Sequence, residues 1–275
     1  MAADANTWNA GFVAALLDRL PRPQRGSTVV GLSGLQGSGK STLAGQLAAA
    51  SRARGVETQV LSLDDVYFGR RERGRLARQV HPLLRTRGVP GTHDVALLLA
   101  TLATLRRASA ARPARLPRFD KGTDTRLPPS RWRRVTRRPA LIVIEGWCLG
   151  VPPEPPDALA VPVNALERRE DRDGRWRRYV NDRLAGEHAR LNARLDYLVM
   201  LQAPDWPVVA RWRTEQEQAL HRRGAPQAMD GPALRRFLMH YERISRHALA
   251  VLPARADCVV PLDRRRRPGP PRVRR

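Results

Sequence analysis

Cysteine is almost missing from this chain of 275 residues: only Cys148 and Cys258 are present. A single pair cannot build a disulfide framework, and without a C-x-x-C spacing it offers no metal knot. Both read as buried thiols in a reducing, cytoplasmic protein. Lysine is scarcer still among its kind. Of fifty basic side chains only Lys40 and Lys121 are lysines, and the rest are arginine. The opening MAADANTWNAGFVAALLDRL lacks a basic leader segment, and its apolar stretch stops at Asp18. That argues against a signal peptide or a membrane span, and sets Trp8, Phe12, Leu16 and Leu17 on one face of an amphipathic helix. No internal repeat or coiled-coil heptad is found. Neither an N-K-x-D guanine-reading element nor a transporter signature is present, which speaks against GTPases and transport ATPases.

The formal charge is +24, and seven arginines with no acid follow Asp263. Such a charge bears on solubility and non-specific contact with polyanions rather than on fold. A chain rich in Ala, Arg, Pro and Gly also reads as the product of a GC-rich coding sequence. No specific nucleic-acid partner is expected, and residues 264–275 are expected to form a flexible tail.

STVVGLSG, ETQVLSLDD, ALIVIEGW, DYLVMLQAP and ADCVVPLD read as five strands, separated by amphipathic helices. That alternation predicts one α/β domain with a mostly parallel five-stranded sheet between helical layers. The domain is expected over 1–263, with an N-terminal helix in 1–26 and loop-rich insertions at 106–139 and 150–175. A helical lid and C-terminal helices are expected over 205–250. Asp205 and Pro207 mark a helix start there.

Between the first strand and the helix after it lies GLQGSGKST, Gly34, Leu35, Gln36, Gly37, Ser38, Gly39, Lys40, Ser41 and Thr42. The G-x-x-x-x-G-K-[ST] pattern in a strand–helix context is a nucleotide-binding P-loop. Its glycines let several N–H groups converge on phosphate oxygens, and the helix N-terminus adds its dipole. Lys40 supplies a compact charge, and Ser41 a hydroxyl for Mg²⁺. An Arg fork does not replace a lysine point charge in a tight cradle, so a sequence that otherwise favours arginine marks Lys121, in PRFDKGTDTR, as a second candidate.

Acids at the carboxyl ends of strands complete such a site. Glu145, closing LIVIEG, is the candidate to hold Mg²⁺ directly or through water. Asp64 is the candidate base for a substrate hydroxyl, with Asp65 beside it as a substrate contact. A helix cap is the competing reading of the Asp64–Asp65 pair.

Together GLSGLQGSGKSTLA, LSLDDVYF, HPLLRTRGVPGTHD, FDK and LIVIEGW followed by CLG resemble the glycerate 3-kinase family. These are P-loop kinases related to uridine kinase, phosphoribulokinase and bacterial pantothenate kinase. The resemblance spans roughly Gly31 to Asp263 and implies a P-loop NTPase fold, ATP with Mg²⁺, and a small carboxylate acceptor such as D-glycerate. A nucleoside, pantothenate or a sugar phosphate is the alternative acceptor, and a nucleic-acid-associated ATPase the alternative class. By the resemblance Arg211 and Arg213 match lid arginines, against the plainer reading of a solvated helix face. An anionic acceptor requires a cation, for which Arg85 and Arg87 are candidates. His93 and Asp94 are candidate partners for its hydroxyls, unless Asp94 caps the next helix. Lys121 would bridge the phosphoryl group and the acceptor.

Overall fold

The aliphatic run Leu141–Ile144 has no polar side to turn to solvent, and every residue of it is buried in the interior of the sheet. The computed structural model describes residues 7–21, 26–222 and 229–274. Parts of the expected N-terminal segment (1–6 and 22–25), of the expected lid region (223–228) and Arg275 lie outside the described residues. The first half of the chain contains α1 (Ala10–Leu17), β1 (Thr28–Gly34), α2 (Lys40–Ala53), β2 (Thr58–Ser62), α3 (Arg70–Gln79) and α4 (Val95–Leu105). The short strands β3 (Ala114–Leu116), β4 (Phe119–Asp120), β5 (Thr125–Arg126) and β6 (Arg133–Val135) follow. After β7 (Leu141–Gly146) come α5 (Ala165–Glu170), α6 (Arg175–Arg183), α7 (Ala189–Asn192), β8 (Tyr197–Gln202), α8 (Trp206–Arg222), α9 (Gly231–Val251), β9 (Cys258–Pro261) and β10 (Arg272–Val273).

The main sheet has the order β10-β9-β8-β1-β7-β2. Its five expected strands pair in parallel. Parallel strands end at one rim, so Gly34, Ser62 and Gly146 deliver the segments that follow them to the same place. The sixth strand was not expected. Residues 264–275 had read as a flexible tail because an arginine run normally stays solvated; instead β10 pairs antiparallel with β9, with Arg272 opposite Val259. The exposed edge of β9 supplies unpaired backbone groups that a returning chain satisfies.

Helix boundaries follow local chemistry. Asp205 accepts from Val208 N (2.8 Å), and Asp230 from Ala233 N (2.8 Å), capping α8 and α9. One turn of π-helix at Leu184–His188 joins α6 to α7. The stretch 106–139 forms two small antiparallel pairs, β3 with β6 and β4 with β5. The second pair carries Lys121 on its connecting turn. The 150–175 region is tied to α9 by buried charge: Arg243 holds Glu167 with two bonds of 2.8 and 2.7 Å. No helix among the described residues is long and apolar enough to cross a membrane.

Candidate active site

The P-loop leaves β1 at Gly34 and enters α2 at Lys40. Gly37 has a φ of +78°, a conformation in which a Cβ is strained. It also has no room for one: an added Cβ would stand 2.6 Å from the Cβ of Trp212. From the other side, the Trp8 indole donates to the Gly39 carbonyl at 3.1 Å. The Gln46 amide holds the Trp8 backbone through two bonds of 2.9 Å. The loop is therefore backed by the Trp8 indole on one side and by the start of the Trp212 side chain and the α8 backbone on the other. Among the described residues the buried Gln36 amide and the Ser38 hydroxyl have no hydrogen-bond partner. Unpaired buried polar atoms next to a cradle of this shape suit a polar ligand.

At the strand ends, the buried Glu145 carboxylate accepts from Ser41 Oγ (3.0 Å) and from Ser62 Oγ (2.6 Å). Asp64 stands two residues beyond β2, in the short 3₁₀ turn Leu63–Val66. Its carboxylate accepts from Lys121 Nζ at 2.6 Å and from Tyr67 OH at 3.0 Å. Burial alone would raise the Asp64 carboxyl, but the Lys121 and Lys40 ammonium groups outweigh it and hold the carboxyl well below the usual carboxylate range. The same burial, with the Asp64 charge, drives the Tyr67 phenol well above its usual range, so it remains a donor. The Lys121 side chain is 61% exposed, and an exposed ion pair contributes about 0–1 kcal/mol to stability. Its effect lies in fixing and charging the carboxylate rather than in holding the fold.

The segment RTRGVPGTHD is laid beside Asp64 by backbone pairing. Phe68 N donates to Thr92 O (2.9 Å) and Asp94 N to Val66 O (2.7 Å). This brings Arg87 to the cavity, with its guanidinium on Asp124 and 5.8 Å from the Phe119 ring centre. Gly88 has a φ of +137°, and a Cβ there would collide with the Tyr241 hydroxyl at 1.9 Å. That close approach lets Tyr241 OH donate to Arg87 O (3.2 Å), and Trp147 Nε1 to Gly88 O (3.0 Å). From α8, Arg213 pairs with Glu217 and lies 5.7 Å from the Phe237 ring centre. Lys40, Ser41, Asp64, Arg87, Lys121 and Arg213 all line one cavity of about 470 Å³.

Other expected residues stand elsewhere. Arg211 is two residues from Arg213 and so points from a different side of α8; it reaches the Arg264 carbonyl and Glu215. Arg85 is exposed and outside the cavity, and its carbonyl accepts from Arg73 (3.0 Å). Asp94 accepts from Leu97 N (3.0 Å) and pairs with Arg126 (3.1 Å), so it caps α4. His93 is fully buried behind Tyr67, its ring stacked at 4.5 Å. Burial and the neighbouring His188 ring push it well below the usual imidazole range, so it is neutral at pH 7. Asp65 turns away from the cavity and accepts from Phe119 N (3.1 Å), which anchors the strand carrying Lys121. Burial raises its carboxyl.

Tyr67, Trp147, Tyr241 and Asp124 were not singled out from the sequence. The first two lie inside segments already of interest, VYF and EGW, where an aromatic beside each acid was the available signal. Asp124 lies in DKGTD and binds both Arg87 and Arg73, the latter at 2.6 Å. These two guanidinium groups outweigh burial and keep its carboxyl low.

No protein-family model matches the chain. Over 242 residues it is 33% identical to mug58 of Schizosaccharomyces pombe, described as an uncharacterized kinase, covering 83% of each protein. Over 204 residues it is 29% identical to the chloroplastic D-glycerate 3-kinase of Arabidopsis thaliana, a match over 71% of this chain and 42% of that enzyme. In fold it is similar to the D-glycerate 3-kinase of Cryptococcus neoformans var. grubii, with a TM-score of 0.73 at 23% identity, over 96% and 97% of the two chains.

Proposed function

Since the chain belongs to the D-glycerate 3-kinase-like P-loop kinases, we propose that it transfers the γ-phosphoryl group of ATP to a hydroxyl of a small carboxylate, D-glycerate before others. The chain is a small-molecule kinase. The observation that carries the proposal is the meeting of Lys40, Arg87, Lys121 and Arg213 around one carboxylate, Asp64, in a single cavity. Two anionic reactants must share a small space, and four cations make that electrostatically tolerable.

Residues 34–42 would wrap the phosphates, with Lys40 at the β,γ end. Ser41 and Glu145, with Ser62 behind them, are hard oxygen donors of the kind Mg²⁺ accepts. Bound there, the ion would neutralise phosphate charge. Arg87 presents a planar fork that matches a carboxylate, and Asp124 keeps that fork aimed. Asp64 orients the acceptor hydroxyl and takes its proton. Because its carboxyl is held low, it accepts that proton late, when the oxygen is already bonding to phosphorus. Lys121 then moves from Asp64 to the phosphoryl oxygens, and Arg213 closes from the lid side.

The test is coupled ADP release with D-glycerate, uridine, pantothenate and ribulose 5-phosphate in parallel. D-Glycerate is expected to give the highest kcat/KM. Turnover of another acceptor instead would move the substrate assignment, and ATPase activity seen only with DNA or RNA would remove it.

Lys121 offers a sharper check. Lys121→Ala is expected to lower kcat by about 10²-fold, and Lys121→Arg to recover less than a tenth of the wild-type rate, because the fork is too broad for this contact. Removing the ammonium also leaves burial less opposed, so the Asp64 carboxyl rises. The acid limb of the kcat profile should then lie at higher pH in Lys121→Ala than in the wild type. Full activity in Lys121→Arg, or an unmoved acid limb in Lys121→Ala, would contradict the assignment.

A further inference from the structure

The arginines at 264–267 take no part in the reaction outlined above, yet they are not loose. Asp263 Oδ1 accepts from Arg265 N (2.7 Å) and Arg267 N (2.8 Å), closing a tight turn between β9 and β10. Arg266 sits in that turn with a φ of +65°. The turn lies along the lid helix α8 and grips it at three levels. At the helix start, the Arg264 guanidinium pairs with Asp205 (2.9 Å). Nearly two turns on, the Arg264 carbonyl accepts from the Trp212 indole (3.0 Å) and from Arg211. Further along, Arg266 pairs with Glu215 (2.5 Å), with its guanidinium 5.7 Å from the Trp212 ring centre.

Trp212 is fully buried, and it is the residue against which Gly37 packs. The next residue, Arg213, lines the cavity. The turn thus holds α8, α8 holds Trp212, and Trp212 limits where the crest of the P-loop can stand. We propose that Arg264–Arg266 form a clasp that positions the nucleotide-binding loop through Trp212, and that Arg266 and Trp212 are positioning residues for phosphoryl transfer. The proposal rests on the reading that residues 34–41 hold the nucleotide. It also supplies a role for an arginine cluster that composition alone would leave to solvent.

Each ion pair here is partly exposed and individually weak. Their joint effect is geometric: an indole N–H bond inside a closed contact, where a small displacement of α8 moves the loop with it. Arg266→Gly separates the clasp from the fold, because glycine adopts a positive φ without a Cβ and preserves the turn. Trp212→Phe retains an aromatic ring and removes the N–H bond to the Arg264 carbonyl.

The experiment measures the Kd of a fluorescent ATP analogue, the KM of ATP and of the acceptor, and Tm, for the wild type, both single variants, Arg266→Glu and the reversed pair Arg266→Glu/Glu215→Arg. Arg266→Gly and Trp212→Phe are expected to raise the nucleotide Kd about five- to tenfold while the acceptor KM stays within about twofold. The reversed pair should bind the analogue more tightly than Arg266→Glu alone. An unchanged Kd in both single variants overturns the clasp, even if Tm falls, since that would leave Trp212 a structural role only. If the wild type itself fails to bind the analogue, the nucleotide reading falls and the clasp falls with it.

Discussion

Asp64→Asn should lower kcat by about 10³-fold and leave the Kd of ATP within about twofold. The variant is nearly isosteric, so Tyr67 retains an oxygen to bond. What disappears is the negative charge that pairs with Lys121 and the acceptor for the substrate proton. Positioning by a carboxylate that titrates low gives a different signature from a base that titrates near neutrality. In the wild type kcat should be flat through mildly acidic pH, because the Lys121 and Lys40 ammonium groups keep the carboxyl ionised there against the opposing effect of burial. Single-turnover rates alongside analogue binding separate the chemical step from affinity. A fall of less than tenfold would mean that another group receives the proton and that Asp64 is a helix-start residue.

Lys40→Ala is expected to reduce kcat/KM by about 10³-fold or more, because it removes a fixed charge from the position where charge spreads over phosphoryl oxygens. Lys40→Arg should recover little of this. The loop crest is held between Trp8, which bonds the Gly39 carbonyl, and Trp212, which stands against Gly37. With no slack on either side, the loop cannot shift to seat a broader guanidinium. Both variants are read by initial rates at saturating acceptor and by analogue Kd. A wild-type kcat/KM in Lys40→Ala would separate this loop from the chemistry.

The sheet was legible because each parallel strand is a short aliphatic run whose burial needs no distant partner to explain it. The P-loop was legible because its chemistry is local: three glycines, a lysine and a serine within eight residues. Lys121 was legible only indirectly, through the scarcity of its residue type. What could not be read is whatever depends on which far segment arrives. Arg85 and Arg87 are two residues apart, and only the pairing of 66–68 with 92–94 decides that Arg87 reaches the cavity. His93 looked like a ligand because it is polar, but its ring is stacked under Tyr67, a contact that no spacing announces. Asp94 has two chemically sound uses, and the helix beginning at Val95 takes it. The arginine run after Asp263 carries the charge pattern of a solvated tail, and the free edge of β9 that draws it back exists only once the sheet is built.

Placing both lysines in one cavity has a chemical corollary. Apart from its α-amine, the chain exposes primary amines only where the reactants would bind. Acylating reagents, amine-directed cross-linkers and enzymes that attach modifiers to lysine therefore find every lysine target there. On this protein such conjugation cannot be silent: whatever tags a lysine also blocks the cavity.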